Sequence, residues 1–179
     1  EGFNVIHSDA DTVWFKDPQI YIKKLKSDIT FSQGTFWPKD VHQEWGFVLC
    51  CGFFSIRHND MTLEFMKNMA RDVQKTRDDQ LSCNRLLLKR GIHWHTPGNI
   101  YSKTFRNVEF KCSRDVIEGD SGDLKIALLP HSNFQRIEDT EDDVYVKHII
   151  SEKNTENIIA VLQKNNCIFL ENFSTDKYK

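Results

Sequence analysis

The chain has 179 residues and 21.0 kDa, the size of one ordinary domain, long enough to bury roughly 70% of its unfolded surface without disulfide or metal staples. With 39% hydrophobic and 28% charged residues it reads as globular rather than disordered. A net charge of −2, with 24 basic and 26 acidic residues in no dominant block, argues against nucleic acid as the main partner, and no apolar run approaches the roughly 20 residues that span a bilayer.

In chain order, residues 4–8 read as a buried strand that ends in the acidic turn Asp9-Ala10-Asp11. Asp17-Pro18 opens a short helix to about Lys26, with Pro18 suited to its first position and Ile20, Ile22 and Leu25 as apolar contacts. A second strand is expected over residues 29–32, then a loop over 34–44 that carries Trp37-Pro38. The apolar stretch 47–57 reads as a central strand with Gly52 at its middle, which marks either a β-bulge or a close approach of backbone or ligand.

Asp60 begins a helix whose Leu63, Met66, Met69, Ala70 and Val73 recur at three- and four-residue spacing, the stripe of a core-facing helix. Asp78-Asp79-Gln80 opens another, which runs through Leu86, Leu87 and Leu88 to Arg90-Gly91. Short strands follow at 92–95, 108–112, 125–129 and 144–150, and a last helix at 154–164. Strands alternating with helices indicate an α/β layered domain. The segment 113–123 and the tail after Asn165 carry no assignable pattern.

The five cysteines (Cys50, Cys51, Cys83, Cys112 and Cys167) form no CxxC pair, zinc spacing or disulfide framework. One sequon, Asn172-Phe173-Ser174, is compatible with a secretory route. The compartment stays open.

The strongest chemical signal is the stretch from Val5 to Trp14, in which an apolar strand delivers Asp9 and Asp11 to its carboxyl end. In α/β sheets that edge binds ligands, and two adjacent carboxylates repel unless a hard cation such as Mg²⁺ or Mn²⁺ sits between them. An acidic turn whose Asp side chains bond nearby amides has the same sequence. Two enzyme classes use such a pair. In a haloacid-dehalogenase-like phosphohydrolase Asp9 would be the nucleophile and Asp11 a general acid, with a lysine and an acidic pair such as Asp142-Asp143 or Asp78-Asp79 around Mg²⁺. In a nucleotide-sugar glycosyltransferase the pair would hold a divalent ion against the donor's diphosphate.

The run from Ser8 to Pro18 resembles the "SD-x-D-x-V-W-(hydrophobic)-(basic)-D-P" signature of the nucleotide-diphospho-sugar transferase family, which includes plant cell-wall α-xylosyltransferases and arabinosyltransferases. The likeness continues in order. Cys51-Gly52-Phe53-Phe54-Ser55-Ile56-Arg57 resembles the family's glycine–aromatic strand; Asp78-Asp79-Gln80 with Asn84 and Leu87 resembles its "D-D-Q-x3-N-x2-L" helix start; and His148 resembles its closing histidine.

The resemblance implies a GT-A-like fold, a Rossmann-like mixed sheet flanked by helices, and a single transferase domain over 1–179 that is the carboxyl-terminal portion of something longer. Few residues precede the first strand, so the strands that would bind the nucleotide base are expected to be missing. It further implies a sugar moved from a nucleotide donor, a UDP-sugar by preference, to a hydroxyl of a glycan or glycoprotein, with retention of configuration. Mn²⁺ (or Mg²⁺) would be held by Asp11, by Asp9 directly or through water, and by His148; Asp9 would otherwise hold the donor's ribose.

Asp79, with Asp78, would be catalytic, contacting sugar hydroxyls or stabilising oxocarbenium-like charge, and Gly52, Phe53 and Gln80 would border the substrates. Each site residue has a plainer alternative: His148 a surface imidazole beside Lys147, and Asp78-Asp79 a helix cap worth about 0.5–2 kcal/mol. Trp37, Trp45 and Trp94 are expected to pack rather than stack on sugars, and His93 and His95 to be structural or surface residues. The resemblance implies the Golgi lumen, with no targeting or membrane segment in this chain, and it leaves room for a degenerate, non-catalytic binding module.

Overall fold

The computed structural model describes residues 2–95, 99–137, 143–148 and 155–164. Its centre is a six-stranded mixed sheet. In spatial order it runs β1 (Val5–Ser8), β4 (Leu49–Ile56), β3 (Ile29–Gln33), β9 (Leu124–Leu128), β8 (Ile117–Ser121) and β5 (His93–Trp94). Only β3 and β9 run parallel; every other neighbour pair is antiparallel. A smaller sheet joins β10 (Phe134–Gln135), β11 (Val146–His148) and β2 (Thr12–Trp14), and β6 (Ile100–Phe105) and β7 (Val108–Ser113) form a hairpin of their own. Arg106 and Asn107 close that hairpin with φ of 49° and 62°, the geometry of a two-residue turn whose twist matches the strands.

β1 is an edge strand rather than a buried one: among the described residues it pairs with β4 alone, and Val5 is 51% exposed. The helix after Pro18 shrinks to one turn, α1 (Gln19–Ile22), capped by the Asp17 carboxylate, which accepts from the Gln19 N–H at 2.9 Å. Its Ile20 faces solvent. The expected loop before Glu44 contains α2 (Lys39–Trp45), stopped at Gly46 with φ of 78°, the left-handed position that glycine fills at a helix end.

The helix α3 (Asp60–Thr76) starts on a reciprocal cap. The Asn59 side chain accepts from the Thr62 N–H at 2.8 Å while the Thr62 hydroxyl accepts from the Asn59 N–H at 3.1 Å. Its buried face is Thr62, Phe65 and Met69, with Met66 and Val73 half-buried beside them; Leu63 of the expected stripe is exposed. Two residues, Arg77 with φ of 55° and the cap Asp78, separate α3 from α4 (Asp79–Lys89). These two helices cover one face of the sheet, where Phe31, Leu49, Cys51, Phe65, Cys83, Leu87 and Leu128 form the main core.

Asn84 is the tie between α4 and β4. Its amide accepts from the Leu49 N–H at 2.8 Å and donates to the Leu49 carbonyl at 2.9 Å, all fully buried. Asn84→Ala would strip both backbone groups of their partners, at about 1–3 kcal/mol each. Urea unfolding should therefore show a loss of at least about 2 kcal/mol, and a loss below about 0.5 kcal/mol, no more than an ordinary surface change costs, would deny the tie.

β4 is not regular. Its register against β3 shifts between Phe31 and Ser32: Phe31 lies opposite Phe54, but Ser32 lies opposite Cys50. Cys51, Gly52 and Phe53 thus bulge on that side, and the alternation inverts across them. Leu49 and Cys51 face the main core, whereas beyond the bulge Phe54 and Ile56 do so. Phe53 accordingly turns to the opposite face, into a second cluster with Ile22, Leu129, Phe134 and Val146. The carbonyl of Gly52 faces β1, where it accepts from the Asp9 N–H at 2.8 Å, one residue past the end of the β1–β4 pairing, and from the Thr12 hydroxyl at 3.2 Å.

Candidate functional site

The bulge, the end of β1, the end of β11 and the start of α4 converge on a cavity of about 790 Å³. Asp9, Asp11 and His148 share it with Gly52, Asp78, Asp79 and Gln80.

The metal-type cluster is assembled by pairing. β1 belongs to the large sheet and β2 to the small one, so the chain must turn sharply between them; Thr12 N–H donates to the Asp9 carbonyl at 3.1 Å to close that turn. β2 then lies antiparallel to β11 with Thr12 opposite His148. A residue from the far end of the chain is thereby set beside Asp11 by strand register. His148 Nε2 is 3.1 Å from Asp11 Oδ1 and 3.7 Å from Asp9 Oδ2. One donor atom from each of the three residues lies within 4.8 Å of the others.

The imidazole is fixed on every side. Its side chain is only 7% exposed, its Nδ1 lies 3.3 Å from the Cys50 thiol, and its backbone carbonyl accepts from Arg136 at 3.0 Å. Burial alone would lower its pKa, but the bonds to Asp11 and Cys50 outweigh burial and hold it up at about 9. Conversely, the bond to His148 holds the Asp11 carboxyl below its ordinary value. Burial pushes the Cys50 thiol up, yet the bond to His148 and the nearby Arg136 charge bring it down to about 7. At neutral pH the imidazolium therefore offsets the two carboxylates. A divalent cation would do the same with a further charge: two carboxylate oxygens and one imidazole nitrogen suit Mn²⁺ or Mg²⁺, with Nδ1 oriented by Cys50 and Nε2 left for the ion.

Gly52 supplies the space. A Cβ built there would stand 1.9 Å from His148 Cε1 and 2.7 Å from Asp9 Oδ2. The two readings of this glycine are thus the same feature, because the bulge brings the backbone against the imidazole.

At the start of α4, Asp78 is committed on both oxygens: Oδ1 accepts from the Leu81 N–H at 2.8 Å and Oδ2 from the Trp37 indole N–H at 3.1 Å. It caps the helix and holds a wall of the cavity. Asp79 is exposed, with Oδ1 accepting from the Gln80 N–H at 2.8 Å. Gln80 donates through Nε2 to the Trp37 carbonyl at 2.7 Å, leaving its Oε1 for a ligand. Asp78→Ala should cost about 0.5–2 kcal/mol in thermal unfolding as a lost cap; an unchanged melting temperature would deny that role.

Phe53 is corrected. Expected at the substrate, it is fully buried and stacks on Phe134 at 5.7 Å between ring centroids, because the bulge turns it away from the cavity. Trp37 is corrected the other way: expected to pack, it lines the cavity with 44% of its surface exposed. Trp45 and Trp94 do pack on the main core, and His95 is exposed, 2.9 Å from Asp120. Cys50, Cys51, Cys83 and Cys112 are buried; Cys167 and the sequon lie outside the described residues. Arg77, Arg106 and Arg136 also line the cavity, and no sequence pattern marked them.

The phosphohydrolase alternative needs a lysine at Asp9, and no lysine lines the cavity among the described residues. Of its acidic pairs, Asp143 is drawn into an exposed ion pair with Lys16, and Asp142 lies outside the described residues.

The family profile of the nucleotide-diphospho-sugar transferases matches residues 1–172, and the chain belongs to that family. The mixed α/β architecture is consistent with a GT-A-like nucleotide-sugar transferase fold. The chain is also similar to a UDP-galactose:fucoside alpha-3-galactosyltransferase of Dictyostelium discoideum, 26% identical over 181 aligned positions that cover 99% of this chain and 24% of that protein. It thus spans about a quarter of that relative's length. No solved structure matches. Among the described residues no helix is long and apolar enough to cross a membrane.

Proposed function

We propose that this chain carries the metal-binding and sugar-transferring side of a glycosyltransferase that moves galactose from UDP-galactose to a hydroxyl of a fucose-containing glycan. The observation that supports it most is the meeting of Asp9, Asp11 and His148 Nε2 in the cavity that also holds Asp79. The donor and acceptor carry over the substrates in the relative's name. Delivery of the α-linked galactose of UDP-galactose into an α linkage is a retention of configuration.

Asp9, Asp11 and His148 would hold Mn²⁺ or Mg²⁺, whose chemistry is to neutralise the charge that develops on the departing diphosphate. In the transfer the bond from the anomeric carbon to the diphosphate oxygen breaks, with its electron pair leaving on UDP. The bond to the acceptor oxygen forms, and the acceptor's proton leaves with the diphosphate. Asp79, which lines the same cavity, would accept hydrogen bonds from the donor sugar and stabilise positive charge at its anomeric carbon, an electrostatic role. Gln80 Oε1 would accept from a sugar hydroxyl. Gly52 would keep the strand thin where it passes the His148 imidazole and the Asp9 carboxylate.

The test is UDP release from UDP-galactose with methyl fucoside as acceptor, in Mn²⁺ and in EDTA. Release that needs both Mn²⁺ and methyl fucoside supports the reading. Equal release in EDTA would remove the metal, and no release by the full-length protein with any UDP-sugar would remove the activity.

A further inference from the structure

The cavity has a second wall that the transfer chemistry above does not use. Trp37 presents an exposed indole there, clamped at both ends: its Nε1–H is bound by Asp78 at 3.1 Å and its carbonyl by Gln80 at 2.7 Å. Next to it Phe36 packs on Phe105, ring centroids 6.3 Å apart, which brings the tip of the β6–β7 hairpin to the cavity. Arg106 at the hairpin turn lies over the Phe105 ring, 5.3 Å from its centroid. An indole that is half out in water and yet rigidly held gains little from burial; its rigidity has another use.

We propose that Trp37, Phe105 and Arg106 form the acceptor subsite, and that its ligand is a saccharide ring rather than a peptide. This rests on the glycosyltransferase reading for the word acceptor. A pyranose has one face of C–H groups and a rim of hydroxyls. The C–H face matches a fixed, flat indole, since each buries apolar surface on the other at small entropic cost, the ring being already immobile. The rim hydroxyls need donors and acceptors at the edge of that plane. Arg106 supplies donors, and the carboxylate of Asp79 and Oε1 of Gln80, which line the same cavity, supply acceptors. The ring would thus end beside Asp79, where the reading above puts the transferred sugar.

The experiment is saturation-transfer NMR on the protein with a panel of methyl glycosides (fucoside, galactoside, xyloside and arabinoside), followed by affinity titration of the best binder. Trp37→Ala should weaken it about tenfold or more, as loss of an aromatic anchor does. Trp37→Phe, which keeps a ring, should recover part of that loss, and Arg106→Ala, at an exposed turn away from the core, should weaken it severalfold. Binding by the wild type that none of the three substitutions alters would overturn the subsite. So would a panel from which no glycoside binds while an unglycosylated peptide does. Titration of Mn²⁺ and UDP in the same samples separates the two claims. If Mn²⁺·UDP binds and glycoside affinity ignores Trp37, this subsite falls and the transferase reading stands; if glycoside affinity follows Trp37 but Mn²⁺·UDP never binds, the reverse holds.

Discussion

Asp11→Asn should abolish Mn²⁺-dependent binding of UDP, and with it lower sugar transfer at least about a hundredfold, while the protein still folds. The magnitude is a floor, because even outer-shell partners of a metal ligand cost about 10–100-fold when lost. Asp11 is central to the cluster. Its carboxylate is three-quarters covered and 3.1 Å from His148 Nε2, whereas Asp9 is nearly half exposed and 3.7 Å away. The amide keeps the volume of the carboxylate, so packing survives and only the charge goes. A second readout follows from the imidazole. Burial acts to lower its pKa and the bond to Asp11 is the largest opposing effect, so without that carboxylate its titration should move down from about 9. Calorimetry with Mn²⁺ and UDP, and NMR titration of the imidazole, check the two halves. A variant that binds Mn²⁺·UDP as the wild type does would remove Asp11 from the site.

Much of this site was legible in the sequence because it is written in local terms. A strand that ends in two carboxylates, a glycine inside an apolar strand, and Asp-Asp-Gln at a helix start each declare themselves over a few residues. What joins them is not local. Thr12 to Trp14 is three residues long and has no periodicity to detect; it is a strand only because β11 lies against it, and it is this pairing that delivers His148. The same holds for β10, only two residues long and defined by its pairing with β11; β8 instead forms a tight hairpin with β9, but its Glu118-Gly119-Asp120-Ser121 has too few apolar residues to read as a strand. α2 spans seven residues, under two turns, too few for a helical stripe to stand out from a loop. The burial expected for residues 4–8 failed because an apolar strand at a sheet edge has the same composition as one at its centre. Phe53 was set beside the substrates by the resemblance, through its neighbour Gly52; strand alternation would instead have put it in the main core with Leu49 and Cys51, and the bulge inverts that alternation and turns it into the second cluster. Register is the one property that single-residue patterns do not carry.

Gly52→Ala should disable the site through space rather than backbone strain. The glycine is not in the left-handed region, so an alanine can adopt its backbone. Its methyl, however, would stand 1.9 Å from His148 Cε1 and 2.3 Å from Nδ1, far inside van der Waals contact. The imidazole has nowhere to go: Cys50 holds its Nδ1, strand pairing holds its backbone opposite Thr12, and Arg136 holds its carbonyl. Either the ring is pushed off the Asp9–Asp11 pair or the bulge opens, and the bulge also anchors Asp9 through its N–H. Both routes separate the three donor atoms. Mn²⁺ affinity should therefore fall about a hundredfold or more, and the overpacked strand should lose about 1–3 kcal/mol of stability. The double variant Gly52→Ala with His148→Ala isolates the cause. With the imidazole gone the new methyl has room, so stability should recover relative to Gly52→Ala alone while metal affinity stays lost, a coupling that only direct contact produces. Additive losses in that cycle, or a Gly52→Ala protein that binds Mn²⁺ normally, would show that the glycine serves the strand and not the histidine.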